Sequence, residues 1–291
     1  MNINKWIKNN TSNLSGKTVA ITGSTSGLGL NTVKILAKLN ANFIFLNRNI
    51  QKSETLKREL LSQNPNINID IIKVDMSDTS SVINASKSLS SKKIDYLILN
   101  AGTYAEKLTT TSSGYNNIFT INFVSPFMLV KYLLPTLQKN HSKVITVGSI
   151  AYRFSDINPQ DIDFSSYKNV NKIYGNSKRF LMFSLTSLLS PYPEISYSIA
   201  HPGISATNIT SNYPELLKKI IKLPMRLIFT SPKKACLNTI YAIFNDCDIK
   251  QWIGPKTFDI WGKPKIKPLK ISDSELNKIA EISKNIGNKL F

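Results

Sequence analysis

The chain has 291 residues, 42% of them hydrophobic, enough for one large core, and its 37 Lys and Arg against 18 Asp and Glu give a formal net charge of +19. Two cysteines, Cys236 and Cys247, and two histidines, His141 and His201, are too few and too scattered for a disulfide framework or a metal site. The lysines are spread along the chain without interleaved aromatics, which speaks against nucleic acid as a partner, and neither a secretory leader nor an apolar run of about 18 residues is expected, so the implied location is cytoplasmic.

Short apolar runs alternate with helix-length amphipathic segments. After an N-terminal arm over 1–16, a strand over 17–22 runs into "TGSTSGLG", Thr22 to Gly29, which opens a helix over 28–39. Gly23, Gly27 and Gly29, with Thr22, Ser26 and Leu28 between and beside them, form a turn in which a pyrophosphate can approach the N–H groups at the positive end of that helix. The second strand, 42–47, ends in Asn47 and Arg48 where folds that prefer NAD usually place an acid against the adenosine ribose. A guanidinium suits a 2′-phosphate, so NADP(H) is favoured and NAD(H) stays possible.

Further helices are expected over 51–63, 77–90, 115–139, 172–189 and 231–244, and further strands over 69–74, 94–99, 143–148, 195–200 and near 251–254. The alternation predicts an α/β, doubly wound, mostly parallel seven-stranded Rossmann-type sheet with helices on both faces. A single domain spans 17–254, with 255–291 as an extension packed on it; its last helix, near 273–286, opens with the capping box Ser272 and Glu275 and closes before Gly287.

In "YGNSK" Tyr174 stands four residues before Lys178, on one helix face. That spacing is common, but it has a chemical reason: a free phenol titrates at about 10, and one cation about 4 Å away contributes on the order of 4 kcal/mol at an effective dielectric of about 20. Between 203 and 230, Leu216, Leu217, Ile220, Ile221 and Leu223 oppose Lys218, Lys219 and Lys222 before Pro224. This reads either as a substrate lid over the carboxyl ends of the strands or as a helix packed on the sheet, and its basic stripe also suits a peripheral contact with anionic membrane.

Taken in order, "TGSTSGLG", "VDMSD", "LNAG", Asn122 in "INFVSPF", Ser149 in "VITVGSIA", "YGNSK" and "HPGISAT" resemble the motifs of the short-chain dehydrogenase/reductase family over nearly the whole chain. The resemblance implies that Asp75, with Met76 beside it, meets the adenine, and that Asn100, Ala101, Gly102, Pro202, Gly203 and Thr207 contact the cofactor. It implies a catalytic set of Ser149, Tyr174, Lys178 and Asn122. Tyr174 is expected to shuttle the proton, Lys178 to lower its pKa and hold the nicotinamide ribose, Ser149 to bond the substrate oxygen, and Asn122 to hold a water in a relay to Lys178. Gly148 stands where many members have a second serine, and the glycine spacing differs from that of the sugar-nucleotide epimerases.

The Trp6-containing arm, "NRNIQKSE" and "WIGPKTFDIWGKPK" are similar to the retinol-dehydrogenase-like branch and its bacterial relatives. Phe180 occupies the place of a cysteine in light-dependent protochlorophyllide reductase. The branch implies an NADP(H)-dependent oxidoreductase on a small, lipophilic carbonyl or alcohol, and a homodimer or homotetramer formed through 115–139 and 172–189. The alternative is a catalytically silent dinucleotide-binding or sensor protein, against which the intact Ser149, Tyr174 and Lys178 count.

Overall fold

A computed structural model describes residues 2–104, 107–167, 169–203 and 230–290. The lid or packing helix expected within 203–230, and Thr207, lie outside the described residues.

The strands are apolar on both faces because both are covered. In β1 (Thr18–Thr22) and β2 (Asn42–Asn47), Val19, Ile21, Phe43 and Phe45 pack on one side, with α1 (Ile3–Asn10), α2 (Gly27–Ala37), α3 (Ile50–Gln63) and α9 (Leu237–Phe244). Ala20, Ile44 and Leu46 face the other core with α4 (Thr79–Leu89), α6 (Ser125–Lys139), α7 (Val170–Leu189) and α10 (Asp273–Leu290). Continuous apolar strands of this kind mark a parallel sheet buried between two helical layers. The remaining elements are β3 (Ile69–Lys73), β4 (Tyr96–Leu99), the short α5 (Asn117–Phe119), β5 (Lys143–Val147), β6 (Ser196–Ala200), the short α8 (Pro232–Ala235), β7 (Gln251–Thr257) and β8 (Trp261–Pro268).

Among the described residues the strand order is β3-β2-β1-β4-β5-β6-β7-β8; neighbours are parallel from β3 to β7, and β8 returns antiparallel to β7. The doubly wound, mostly parallel single domain is as expected, but the sheet has eight strands, not seven, and residue 254 falls inside β7. The eighth strand was hidden because "WGKPKIKP" alternates Lys and Pro instead of apolar residues, a pattern tolerated only at a sheet edge.

Three further differences bear on the site. The arm contains a helix, α1, whose buried Trp6 meets Tyr241 of α9 with ring centroids 6.1 Å apart. The helix expected over 115–139 is interrupted by a π-helical turn at Thr120–Val124, the kind of irregularity that gathers at functional sites. By length and composition alone Asn117–Lys139 could cross a membrane, but polar residues interrupt it and 72% of its most apolar stretch is buried, so here it is a core helix. The capping box forms as expected, Ser272 N bonding Glu275 Oε2 and Glu275 N bonding Ser272 Oγ, both at 3.2 Å, and α10 continues through Gly287 to Leu290.

Candidate active site

The parallel strands end at one edge, and the glycine turn is built there from the ends of β1, β2 and β4. Asn100, just past β4, donates from Nδ2 to the carbonyls of Thr22 (3.0 Å) and Gly23 (2.9 Å), while Thr22 Oγ1 accepts from the N–H groups of Asn100 (3.0 Å) and Ala101 (2.9 Å). Gly29 closes the turn: a Cβ there would lie 2.2 Å from Gly23 O and 2.6 Å from Asn100 Nδ2. Ser26, the N-cap of α2, makes no side-chain cap, so the helix presents uncapped N–H groups. A turn with uncapped donors and close-packed glycine backbone fits a dinucleotide's pyrophosphate. Gly29→Ala is expected to weaken NADPH binding by more than tenfold and to lower stability by about 1–3 kcal/mol, which fluorescence titration and thermal melting would read.

At the adenosine edge Asn47 ends β2. Its buried amide donates to Ser24 Oγ (2.8 Å) and Ser53 Oγ (2.9 Å) and accepts from Ser24 N (2.9 Å), so it braces the turn. Arg48 is 75% exposed, its Nη1 3.8 Å from Asp75 Oδ2, while Asp75 Oδ1 accepts from Ser77 N (2.9 Å) and Oγ (2.6 Å). Met76 is buried, and its carbonyl takes the Ser125 hydroxyl at 2.6 Å.

A cavity of about 520 Å³ runs from Gly23, Ser26, Gly27 and Leu28 past Asn100, Ala101 and Gly102 to Ser149, Tyr174 and Lys178, with Pro202 and Gly203 on its wall. It thus joins twelve of the expected site residues. Thr22, Gly29, Asn47, Arg48, Asp75, Met76 and Asn122 do not line it. Ser149, two residues past β5, caps the 3₁₀ turn Ile150–Phe154, accepting from Ala151 N at 3.2 Å, and shares the cavity wall with Tyr174.

Two features of the proton-transfer set bear on the expected roles. Tyr174 titrates above its ordinary value, because burial outweighs the lowering effect of Ser149 nearby. The Lys178 ammonium donates to Val147 O at 2.9 Å and lies 5.9 Å from the Tyr174 ring centroid, and burial lowers it to about 8. Asn122, in the π-helical turn, accepts from Thr103 N (2.7 Å) and donates to Thr103 O and Ser177 Oγ (both 2.9 Å). Its side-chain amide is therefore occupied as a clamp on Thr103 and Ser177.

Sequence reasoning missed Thr103, Tyr104, Val147, Gly148, Ile150, Ala151, Phe154 and Asn171, which complete the lining. Thr103 and Tyr104 follow the "NAG" motif directly, and that adjacency was the one available signal. His201 is buried outside the cavity lining, stacked on Trp252 at 4.7 Å and bonded through Nε2 to Asp259 O at 2.9 Å; burial lowers it to about 4.

A Rossmann-type sheet whose carboxyl edge joins a glycine turn to a serine, a tyrosine and a lysine defines a dehydrogenase-like architecture. The short chain dehydrogenase family model matches residues 17–216, and the chain belongs to that family of oxidoreductases. It is 31% identical over 208 residues to retinol dehydrogenase 12 of Mus musculus, covering 68% of this chain and 64% of that one, in keeping with the branch that the sequence resembles. A solved structure of an uncharacterized protein from Mycobacterium Paratuberculosis is similar over 96% of this chain and 94% of that one, with 25% identity and a TM-score of 0.74. A short-chain dehydrogenase from Sphingobium yanoikuyae in complex with NADPH shares the fold at a TM-score of 0.60 and 18% identity, over 78% of this chain and 83% of that one.

Proposed function

We propose that the protein interconverts a carbonyl compound and an alcohol with NADP(H), Tyr174 carrying the proton. The observation that carries this reading is that Ser149, Tyr174 and buried Lys178 line one cavity continuous with the glycine turn. A binding module has no need of that set.

Gly23, Ser26, Gly27 and Leu28 would hold the pyrophosphate, Asn100 to Gly102 with Pro202 and Gly203 the middle of the dinucleotide, and Arg48 with Asp75 the adenosine end. The bound cofactor supplies the hydride in reduction and accepts it in oxidation. Tyr174, kept protonated by burial, donates to the developing alkoxide, and Ser149 holds the substrate oxygen beside that phenol. Lys178 places a cation deep in the cavity, where it favours negative charge on the phenol as the proton leaves. The likeness to a retinol dehydrogenase supports a lipophilic substrate.

Preference for NADP(H) rests on Arg48, an exposed guanidinium with one long ion pair, in place to meet a 2′-phosphate. Titrating wild type with NADPH and NADH, then assaying both against aliphatic, aromatic and retinoid-like aldehydes and ketones, tests the reading. Turnover should be supported by NADPH far better than by NADH. Arg48→Ala should weaken NADPH about tenfold and leave NADH within about twofold. Equal loss of both cofactors would contradict the role of Arg48.

A further inference from the structure

Beside the proton-bearing phenol stands a second one that the mechanism leaves without a task. Tyr104, two residues past Gly102, packs its ring edge-on to Tyr174, with centroids 5.5 Å apart and planes at 67°. Its hydroxyl donates to Asn171 Oδ1 at 2.9 Å, on the first turn of the helix that carries Tyr174. The loop beneath it is fixed, since Asn122 holds Thr103 by both its N–H and its carbonyl. Tyr104 is thus placed relative to Tyr174 from two directions.

The surrounding chemistry limits what this phenol can meet. Tyr104 and Asn171 line the cavity together with Ile150, Ala151 and Phe154, and the Phe154 ring is 62% exposed. Among the described lining residues Lys178 is the only one with a charged side chain, and its ammonium is bonded to Val147 O. Against the described lining a carboxylate or phosphate on the substrate would find Lys178 as its one cationic partner, whereas a flat apolar group would cover exposed aromatic surface.

We infer that Tyr104 determines specificity: with Phe154 it forms an aromatic wall that admits an uncharged carbonyl compound bearing a flat or extended apolar group and turns that group toward Ser149 and Tyr174. This rests on the carbonyl-reducing reading of the same cavity.

The test compares benzaldehyde, para-carboxybenzaldehyde and propanal, with NADPH, on wild type, Tyr104→Phe and Tyr104→Ala. Wild type should prefer benzaldehyde to its carboxylate by about tenfold or more. Tyr104→Ala should lose about tenfold in kcat/KM for benzaldehyde, mainly through KM, with propanal changed no more than about twofold, and Tyr104→Phe, which keeps the ring, should retain the preference. Equal losses on all three substrates would mean a structural role and would overturn the inference. Calorimetric binding of benzyl alcohol and its para-carboxylate, with and without NADPH, to wild type, Tyr104→Ala and Phe154→Ala gives a readout that does not need turnover. Tighter binding of the uncharged alcohol, weakened by either substitution, supports the wall; no binding, or equal binding of the carboxylate, overturns it. If wild type consumes no NADPH with any carbonyl yet shows that binding pattern, the catalytic reading fails and the wall stands.

Discussion

Tyr174→Phe should lower kcat by about a thousandfold, the scale expected for removing a positioned proton donor, while NADPH affinity stays within about twofold. The substitution removes one oxygen and keeps the ring, so the edge-on contact with Tyr104 is retained and the cavity keeps its shape. What disappears is the phenol hydroxyl, in the cavity that Ser149 also lines. Because burial holds the Tyr174 proton above its ordinary range, the group enters reduction already protonated at neutral pH; it needs stabilisation only as the proton leaves. Steady-state NADPH oxidation beside a fluorescence titration separates the two effects, and unchanged turnover would remove Tyr174 from the mechanism.

Lys178→Met should change stability and activity in opposite directions. The ammonium is buried with a carbonyl partner, Val147 O at 2.9 Å, and titrates at about 8 instead of 10.5. Below pH 8 the folded chain therefore bears the whole penalty of keeping that charge buried, about 3 kcal/mol. Between 8 and 10.5 the unfolded chain binds more protons than the folded one, so the penalty fades as pH rises through that window. Methionine fills similar space without charge and leaves Val147 O without its donor at a cost of about 1 kcal/mol. The net gain expected at pH 7 is about 2 kcal/mol, with a rise in melting temperature of roughly 4–8 °C that shrinks to nothing by about pH 10. Turnover should fall about a hundredfold, and the wild-type decline in reduction as pH rises through about 8 should be absent from the variant. A variant less stable than wild type at pH 7 would show that the cation contributes to the fold as well as to the chemistry.

Strands buried on both faces were legible because their apolar runs are continuous, as in "TVAIT" and "NFIFLN", and the residues at their carboxyl ends carried the site with them. β8 was not, since an edge strand has no need of apolar alternation. The positions of Ser149, Tyr174 and Lys178 in one cavity followed from motif order. Their hydrogen-bond partners did not: Val147 O, which holds the Lys178 ammonium, is a backbone atom that no residue type announces. The same is true of Asn47 and Asn122, whose amides turn inward to Ser24, Ser53, Thr103 and Ser177, side chains and loop atoms brought near only by the sheet order and the π-helical turn. The substrate wall was the least legible part, because Tyr104 and Phe154 follow motif residues without belonging to any motif.

The central claim is that this cavity transfers a proton from Tyr174 to a carbonyl oxygen while NADPH is oxidised. Its most direct test is to supply wild type with NADPH and each carbonyl in turn, and to count alcohol formed against NADPH consumed. The account predicts one alcohol per NADPH for at least one apolar aldehyde or ketone. Firm NADPH binding with no alcohol from any of them would contradict it and would favour a protein that binds the dinucleotide without using it.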